Sequence, residues 1–370
     1  MKILVTGSTG FIGSALVKNI LKNTGHTVIN IVLQTIKILY YRSCLILGGS
    51  YFREGLDTQM TQAYTKNGAT VLAYPVKNSG RYDAITLNSE KKTIFIEKKP
   101  VNTSSKLGIT GHNQLTNTHK KYRPSYLVNV YAYTNAGKAE LNNSLVTLRN
   151  STALENLTPA CKKIVITLLH TSTEYVFSRD QSTPYNPNDT CNPINIYGKS
   201  KFIDNKPTLK TKPCSFITKT SWVFSEFKNN FVKIILKLAN EKNSISVVDD
   251  QIGRPTYASS NLAKFILNFT INYKTIDIKN NIIHFANSEN CCWFNFSQKV
   301  IEYGHKLKLI HNIPSLQQTK THHLNLKAQH PPYCVLNIAN TEKVLNIKIR
   351  NWESALYEML NILADKYHHA

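Results

Sequence analysis

The chain opens on a strand, a glycine-rich turn and a helix, an order that restricts its fold more than any later feature. Lys2 to Thr6 reads as a short buried strand and Gly7-Ser8-Thr9-Gly10-Phe11-Ile12-Gly13 as a tight turn. Helical spacing then puts Phe11, Leu16, Val17, Ile20 and Leu21 largely on one side, and Thr27 to Leu33 is a second apolar strand after Gly25. Residues 2–34 thus read as a βαβ unit. Three glycines at this spacing let the backbone turn sharply, approach a pyrophosphate closely and pack helix on strand. The helix N-terminus adds unpaired N–H groups and the positive end of its dipole. The unit predicts an α/β fold with a Rossmann-like, doubly wound parallel sheet. Gly7, Gly10, Phe11, Ile12 and Gly13 are its expected dinucleotide-binding residues.

Composition narrows the classes further. A chain of 370 residues with 42% hydrophobic content has ample core, which excludes a disordered or collagen-like protein. Lys+Arg 45 against Asp+Glu 22 gives a net charge of +23, but charged residues make up only 18% of the chain. The excess comes from scarce acids spread along the whole length, with no basic block, so no specific nucleic-acid partner is expected. The seven cysteines are odd in number and lack a C-x-x-C, which fits neither a disulfide framework nor a metal site and points to a reducing compartment. No apolar run is long enough for a membrane span, and the expectation is a cytoplasmic protein with no membrane partner.

After Gln34 the opening pattern stops. Leu45-Ile46-Leu47-Gly48-Gly49, Gly68 to Tyr74 and Lys92 to Ile96 read as strands, the last closed by Glu97-Lys98-Lys99-Pro100. Leu107-Gly108-Ile109-Thr110-Gly111 looks like another first strand and turn, without the later glycines of a phosphate cradle. Regular α/β follows: a strand at Tyr126 to Val130, a helix-like stretch from Leu141 to Leu157, and a strand from Lys163 to Leu169 leading into Ser172-Thr173. Tyr197-Gly198-Lys199-Ser200-Lys201 carries the strongest chemical signal. Four residues apart on a helix, the Lys201 ammonium can sit near the Tyr197 phenol and favour its ionised form. A phenol tuned this way can give a proton to a carbonyl oxygen as hydride arrives at the carbon, and a hydroxyl at Ser172 or Thr173 could bind the same oxygen.

Several motifs resemble known families. Thr-Gly-x-x-Gly-Phe-Ile-Gly resembles the extended short-chain dehydrogenase/reductase superfamily, and Met1 to Ile31 looks like the start of a dTDP-glucose 4,6-dehydratase. The acid expected after the second strand of such proteins falls at about Val32, so NADPH and NADH are both open as cofactors. Residues 42–100 resemble the middle of a glucose-1-phosphate thymidylyltransferase, but Gly49 stands where that family has its metal-binding aspartate, so this stretch reads as inert. From about 106 to 363 an ordered series of blocks resembles dTDP-4-dehydrorhamnose reductase. Among them are Val128-Asn129, Ser172 to Phe177, Ile196 to Lys201, Thr220-Ser221-Trp222-Val223 and Val248 to Tyr257.

That resemblance implies Thr173, Tyr197 and Lys201 as the catalytic trio, Tyr197 and Lys201 also facing the cofactor, and Trp222 beside Thr173 at the sugar. It implies reduction of the C4 ketone of a dTDP-sugar, dTDP-4-dehydro-6-deoxy-L-mannose, to dTDP-L-rhamnose, and is compatible with a homodimer. Departures are mild: Glu174 and Asn337 replace aspartates, and Lys219 replaces an arginine. The expected organisation is a dinucleotide-binding βαβ fragment (1–34), an irregular inserted fragment (35–105) and a reductase-like domain (106–370). The smaller substrate-binding portion of that domain lies mainly after 222. Residues 1–33 would dock as the missing edge of the reductase sheet, taking the slot of Lys106 to Thr110; the rival reading is a fusion remnant without turnover. Trp293 and Trp352 read as packing anchors, and Cys291-Cys292 as buried filler.

Overall fold

A computed structural model describes residues 2–8, 10–23, 27–31, 38–41, 44–47, 84–87, 93–97, 119–120, 122–178, 181–210, 215–273 and 281–368. Strands β1 (Lys2–Thr6), β2 (Thr27–Ile31), β3 (Ile38–Tyr41), β4 (Cys44–Leu47), β7 (Tyr126–Asn129), β8 (Thr167–Thr173), β9 (Ser215–Thr220) and β14 (Ile282–His284) build one sheet. Between β4 and β7 the strands β5 (Ala84–Leu87) and β6 (Thr93–Glu97) pair only with each other. The sheet order is β14-β9-β8-β7-β1-β2-β4-β3, with every neighbouring pair parallel except β3 and β4. The order reverses at β1: the chain winds one way through β2 and β4 and the other way through β7, β8, β9 and β14. The crevice at such a reversal is where ligands of doubly wound sheets bind.

The N-terminal unit docks beside β7, at the side of the reductase strands where the sequence expects it, and β2, β4 and β3 continue the sheet so that β1 lies in its interior. The β1 register pairs Ile3 with Val28 on one side and Tyr126 on the other. A strand inside a parallel sheet must be apolar on both faces, and Ile3, Leu4 and Val5 are all buried. Ile3 and Val5 pack with Leu16 and Ile20 of the helix Phe11–Asn23 and with Phe265, Ile266 and Phe269 of the helix Ala263–Asn272. Leu4 faces the opposite layer, against Leu127, Leu154, Leu157 and Cys161. The strand of Leu107 to Thr110 and that of Gly68 to Tyr74 lie outside the described residues.

The first helix buries Ala15, Leu16, Asn19 and Ile20, whereas Leu21, expected on the inner side, is 38% exposed. Polar contacts fix this rotation: the Asn19 amide donates to the Ser259 carbonyl at 2.6 Å, and Lys18 reaches the buried Glu226 carboxylate at 3.3 Å. Glu226 also accepts from the Ser259 and Tyr257 hydroxyls, joining the start of the chain to its C-terminal half.

Two other expectations are sharpened. The helix-like stretch of Leu141 to Leu157 is helical from Asn143 on, running without a gap through Asn143–Thr147, a π-turn at Leu148–Thr152 and Ala153–Lys163, after a separate short helix Ala136–Ala139. Within the π-turn Asn150 turns inward, bonding the backbone of Tyr133 and the Ser200 hydroxyl; a buried amide sets the path that apolar spacing missed. The strand expected from Lys163 to Leu169 starts later, at Thr167. Lys163 still belongs to the preceding helix, and Val165 is exposed with a left-handed φ of 55°.

Beyond Trp222 lies a second apolar core. The helices Phe231–Glu241, Trp293–Lys306 and Trp352–His368 pack through Val232, Ile235, Phe296, Val300, Leu356 and Met359. Short pairs surround it: β10 (Val223–Phe224) with β13 (Thr256–Tyr257), β11 (Ser244–Val248) with β16 (Ser315–Thr319), and β12 (Ile252–Gly253) with β15 (Cys291–Cys292). Trp352 is buried edge-on to Phe296, and Cys291 and Cys292 are free thiols. Before β15 the chain returns once to the main sheet as β14. Among the described residues no helix is long and apolar enough to cross a membrane.

Candidate active site

The glycine turn leaves the C-terminal end of β1 at the reversal of strand order. Gly7 has φ +70°, and a Cβ there would lie 2.7 Å from the Tyr131 backbone. A Cβ on Gly13 would press into the Gly7 carbonyl oxygen and the Ser8 backbone, well inside contact distance. Gly10 closes the turn by donating its N–H to the Gly7 carbonyl at 2.9 Å, and Ser14 pins it through the Ser8 carbonyl at 3.1 Å. Phe11, Ile12 and Gly13 begin the helix, whose first N–H groups have no intrahelical acceptor. A cradle in which added Cβ atoms would collide with backbone fits a dinucleotide pyrophosphate. β2 carries no acid, and Val32 lies outside the described residues.

The helix Ile196–Lys210 carries Tyr197 and Lys201. Asn195 caps it, its side-chain oxygen accepting from the Gly198 N–H at 2.7 Å, and the Glu140 carboxylate accepts from the Ile196 N–H at 2.8 Å. Gly198 is where this helix meets the turn Glu174–Val176: a Cβ there would collide with the Tyr175 carbonyl oxygen. That close approach holds half-buried Tyr197 against Tyr175, edge to face with ring centres 5.5 Å apart. Behind it, the Tyr175 hydroxyl lies 3.3 Å from His330 Nδ1, and His330 contacts Gln251. Burial raises the Tyr175 phenol well above its ordinary range and lowers the His330 imidazole, so both are neutral near pH 7.

Lys201 is almost wholly buried. Its Nζ lies 2.8 Å from His170 Nε2 on β8; the other ring nitrogen of His170 lies 2.9 Å from the Asn129 amide on β7, and Asn129 contacts the Thr6 hydroxyl on β1. Thr6 is the residue before Gly7. The lysine and the cradle are thereby joined through three side-chain contacts across the sheet.

Thr173 ends β8. Its hydroxyl donates to the Glu174 carboxylate at 2.7 Å and accepts from the Tyr175 N–H at 3.3 Å. Glu174 also accepts from the Trp222 backbone N–H, which ties Thr173 to Trp222. Burial pushes the Glu174 carboxyl up to about 7, the hydrogen bonds opposing it only in part. Trp222 has a left-handed φ of 44°, a strain that clusters at ligand sites. Its ring lies over Gly253 and stacks on Trp293 with centres 3.6 Å apart, so Trp293 backs the wall that Trp222 lines.

Residues 58–364 match the RmlD substrate binding domain family, and residues 3–38 the NAD dependent epimerase/dehydratase family. The dTDP-4-dehydrorhamnose reductase of Aggregatibacter actinomycetemcomitans is 30% identical over 288 residues, covering 77% of this chain and 92% of that protein. The chain belongs to the dTDP-4-dehydrorhamnose reductase family. The Salmonella typhimurium reductase is 28% identical over 245 residues, covering 66% of this chain and 81% of that one. A solved dTDP-4-dehydrorhamnose reductase from Clostridium acetobutylicum superposes with a TM-score of 0.70 at 22% identity, covering 98% of this chain and 99% of that one. One from Bacillus anthracis, in complex with NADP, gives 0.70 at 21%, covering 97% and 98%. At these identities the structures show the shared fold.

For this member of the reductase family, sequence reasoning named the glycine turn, Thr173, Tyr197, Lys201 and Trp222 as candidates; it did not name His170 or Asn129, which the structure links to Lys201, or His330, which lies against Tyr175. The resemblance blocks contain Asn129, and His170 directly precedes Thr171 and Ser172; neither carries a spacing signal of its own. Two outcomes are expected. Gly13→Ala should weaken NADPH binding at least about tenfold by isothermal titration, because the turn must open to admit the methyl group. Glu174→Gln should change the pH dependence of stability. The folded carboxyl titrates near 7 and the unfolded one near 4.5, so its contribution is present at low pH and lost as pH rises through that window. Thermal unfolding should therefore shift in favour of the variant between pH 5 and pH 8, by on the order of 2–3 kcal/mol.

Proposed function

We propose that this protein reduces the C4 ketone of dTDP-4-dehydro-6-deoxy-L-mannose to dTDP-L-rhamnose, with NADPH or NADH as reductant. The observation that carries the reading is the line of contacts from Lys201 through His170 and Asn129 to Thr6. It supports the reading because it links the helix of Tyr197 and Lys201 to the residue just before the glycine turn.

Gly7, Gly10, Phe11, Ile12 and Gly13 hold the cofactor's pyrophosphate by close backbone approach. When bound, the nicotinamide supplies the hydride that C4 receives. Tyr197 gives its phenolic proton to the ketone oxygen, so that hydride and proton together make the alcohol. The Lys201 ammonium, one helical turn on, stabilises the phenolate left behind. The Thr173 hydroxyl binds the same oxygen and is freed to donate when a protonated Glu174 donates to it in turn. Trp222, stacked on Trp293, gives the sugar an apolar wall.

The reading carries with it a cytoplasmic setting and the organisation into residues 1–34, 35–105 and 106–370, with the substrate portion mainly after 222. It also carries a dehydratase-like origin for the start and a thymidylyltransferase-like origin for residues 42–100. The match of residues 3–38 to epimerases and dehydratases supports the first of these origins. A homodimer is compatible with the reading and is measured by sedimentation.

The test is ketone-dependent NADPH oxidation by the whole chain. Turnover that falls about 10²–10⁴-fold in Tyr197→Phe, with cofactor affinity kept, is the expected result. No turnover by a folded wild-type protein that binds NADPH and the dTDP-sugar would favour the remnant and overturn the assignment.

A further inference from the structure

We propose that His170 is a positioning residue for Lys201, and that Asn129 and Thr6 select the imidazole tautomer that can serve it. The inference rests on the role given to Lys201 above.

Thr6, Asn129 and His170 are direct register partners: Thr6 pairs with Asn129 across β1 and β7, and Asn129 with His170 across β7 and β8. The three side chains form one polar row across the middle of a sheet that is otherwise apolar here, and their exposures are 0%, 4% and 1%. A one-residue slip of any of these strands would send its member to the opposite face. The row ends at Lys201, itself 1% exposed, whose Nζ meets His170 Nε2 at 2.8 Å.

The chemistry of the four groups selects one arrangement. An ammonium has only donors, so the nitrogen facing it must offer a lone pair. An imidazolium there would set a second positive charge against the first in a buried site. His170 is therefore neutral, with its proton on Nδ1. The Asn129 amide, whose Nδ2 lies 2.9 Å from Nδ1 and whose Oδ1 accepts from the Thr6 hydroxyl, must therefore turn over about its Cβ–Cγ bond so that its oxygen accepts from that N–H. The turned amide presents its NH2 to the Thr6 hydroxyl, which then accepts where it otherwise donates to Oδ1. Each residue of the row thus dictates the orientation of the next, and the strand that begins the chain sets the direction of the lysine. A lysine so held stays one turn from Tyr197 without hunting among rotamers, a long side chain's usual freedom.

A positioning role separates from a packing role in three measurements. His170→Ala should lower kcat about tenfold to a hundredfold while KM for the dTDP-sugar changes less than about threefold, because no substrate contact is removed. His170→Gln, whose amide offers one acceptor and one donor as this tautomer does, should recover most of that loss, whereas a packing role would treat the two variants by volume. Nitrogen-15 NMR of the cofactor-free wild-type protein should show His170 protonated on Nδ1, its signal identified by its loss in His170→Gln. In Asn129→Leu that proton should no longer be held on Nδ1.

An Nε2-protonated or doubly protonated His170 in the wild type would overturn the inference, as would equal kcat in His170→Ala and wild type. If the NMR result holds while the wild-type protein turns over no ketone, the tautomer selection stands and the proposed reaction is what fails.

Discussion

The parallel pairing of β1 with β7 is the interaction on which everything else in this protein depends. It places a strand from the first six residues beside one that begins 120 residues later, and it creates the reversal of strand order at which the crevice opens. Closing so long a loop costs conformational entropy that grows only slowly with its length. The offset comes from burial of Ile3, Leu4 and Val5 on both faces of the sheet, each worth about 1.5–3 kcal/mol. The helix Phe11–Asn23 adds a second anchorage through Leu16, Ile20, Asn19 and the Lys18–Glu226 pair.

Function follows from how closely backbones approach at two points. At Gly13 the helix sits against the turn so tightly that no side chain fits, and at Gly198 the Tyr–Lys helix sits against the Tyr175 carbonyl in the same way. These contacts leave Tyr197 half-buried at the crevice and bury Lys201 under it. Glu174 then ties the Thr173 hydroxyl to the backbone of Trp222, so the groups expected at the ketone and at the sugar are held by one carboxyl. A buried carboxyl that titrates near 7 couples the order of that corner to pH.

Much of this was legible in the residues alone. The glycine spacing after an apolar strand predicted the tight turn at Gly7 to Gly13, and Tyr197 and Lys201 four apart predicted the helix that carries both. Ordered blocks of resemblance gave the family that the comparisons then showed. What was not legible depends on distance along the chain. Thr6, Asn129 and His170 are 123 and 41 residues apart and become neighbours only through strand register. The docking of β1 beside β7 was expected, but the strands that continue the sheet beyond β2 were not legible, because a local pattern says what a strand is, not what flanks it. The π-turn inside the helix expected at Leu141 to Leu157 has the same origin, since Asn150 answers to Tyr133 and Ser200, partners outside its own helix.

Amide hydrogen exchange of the intact chain tests the central claim most directly. If β1 lies inside the sheet, the amides of Ile3 to Thr6 should exchange as slowly as those of Leu127 to Asn129 and Leu168 to His170, through the same global opening. Added NADPH should then further protect the turn from Gly7 to Ser14. Fast, independent exchange at Ile3 to Thr6 beside a protected β7 and β8 would contradict the account.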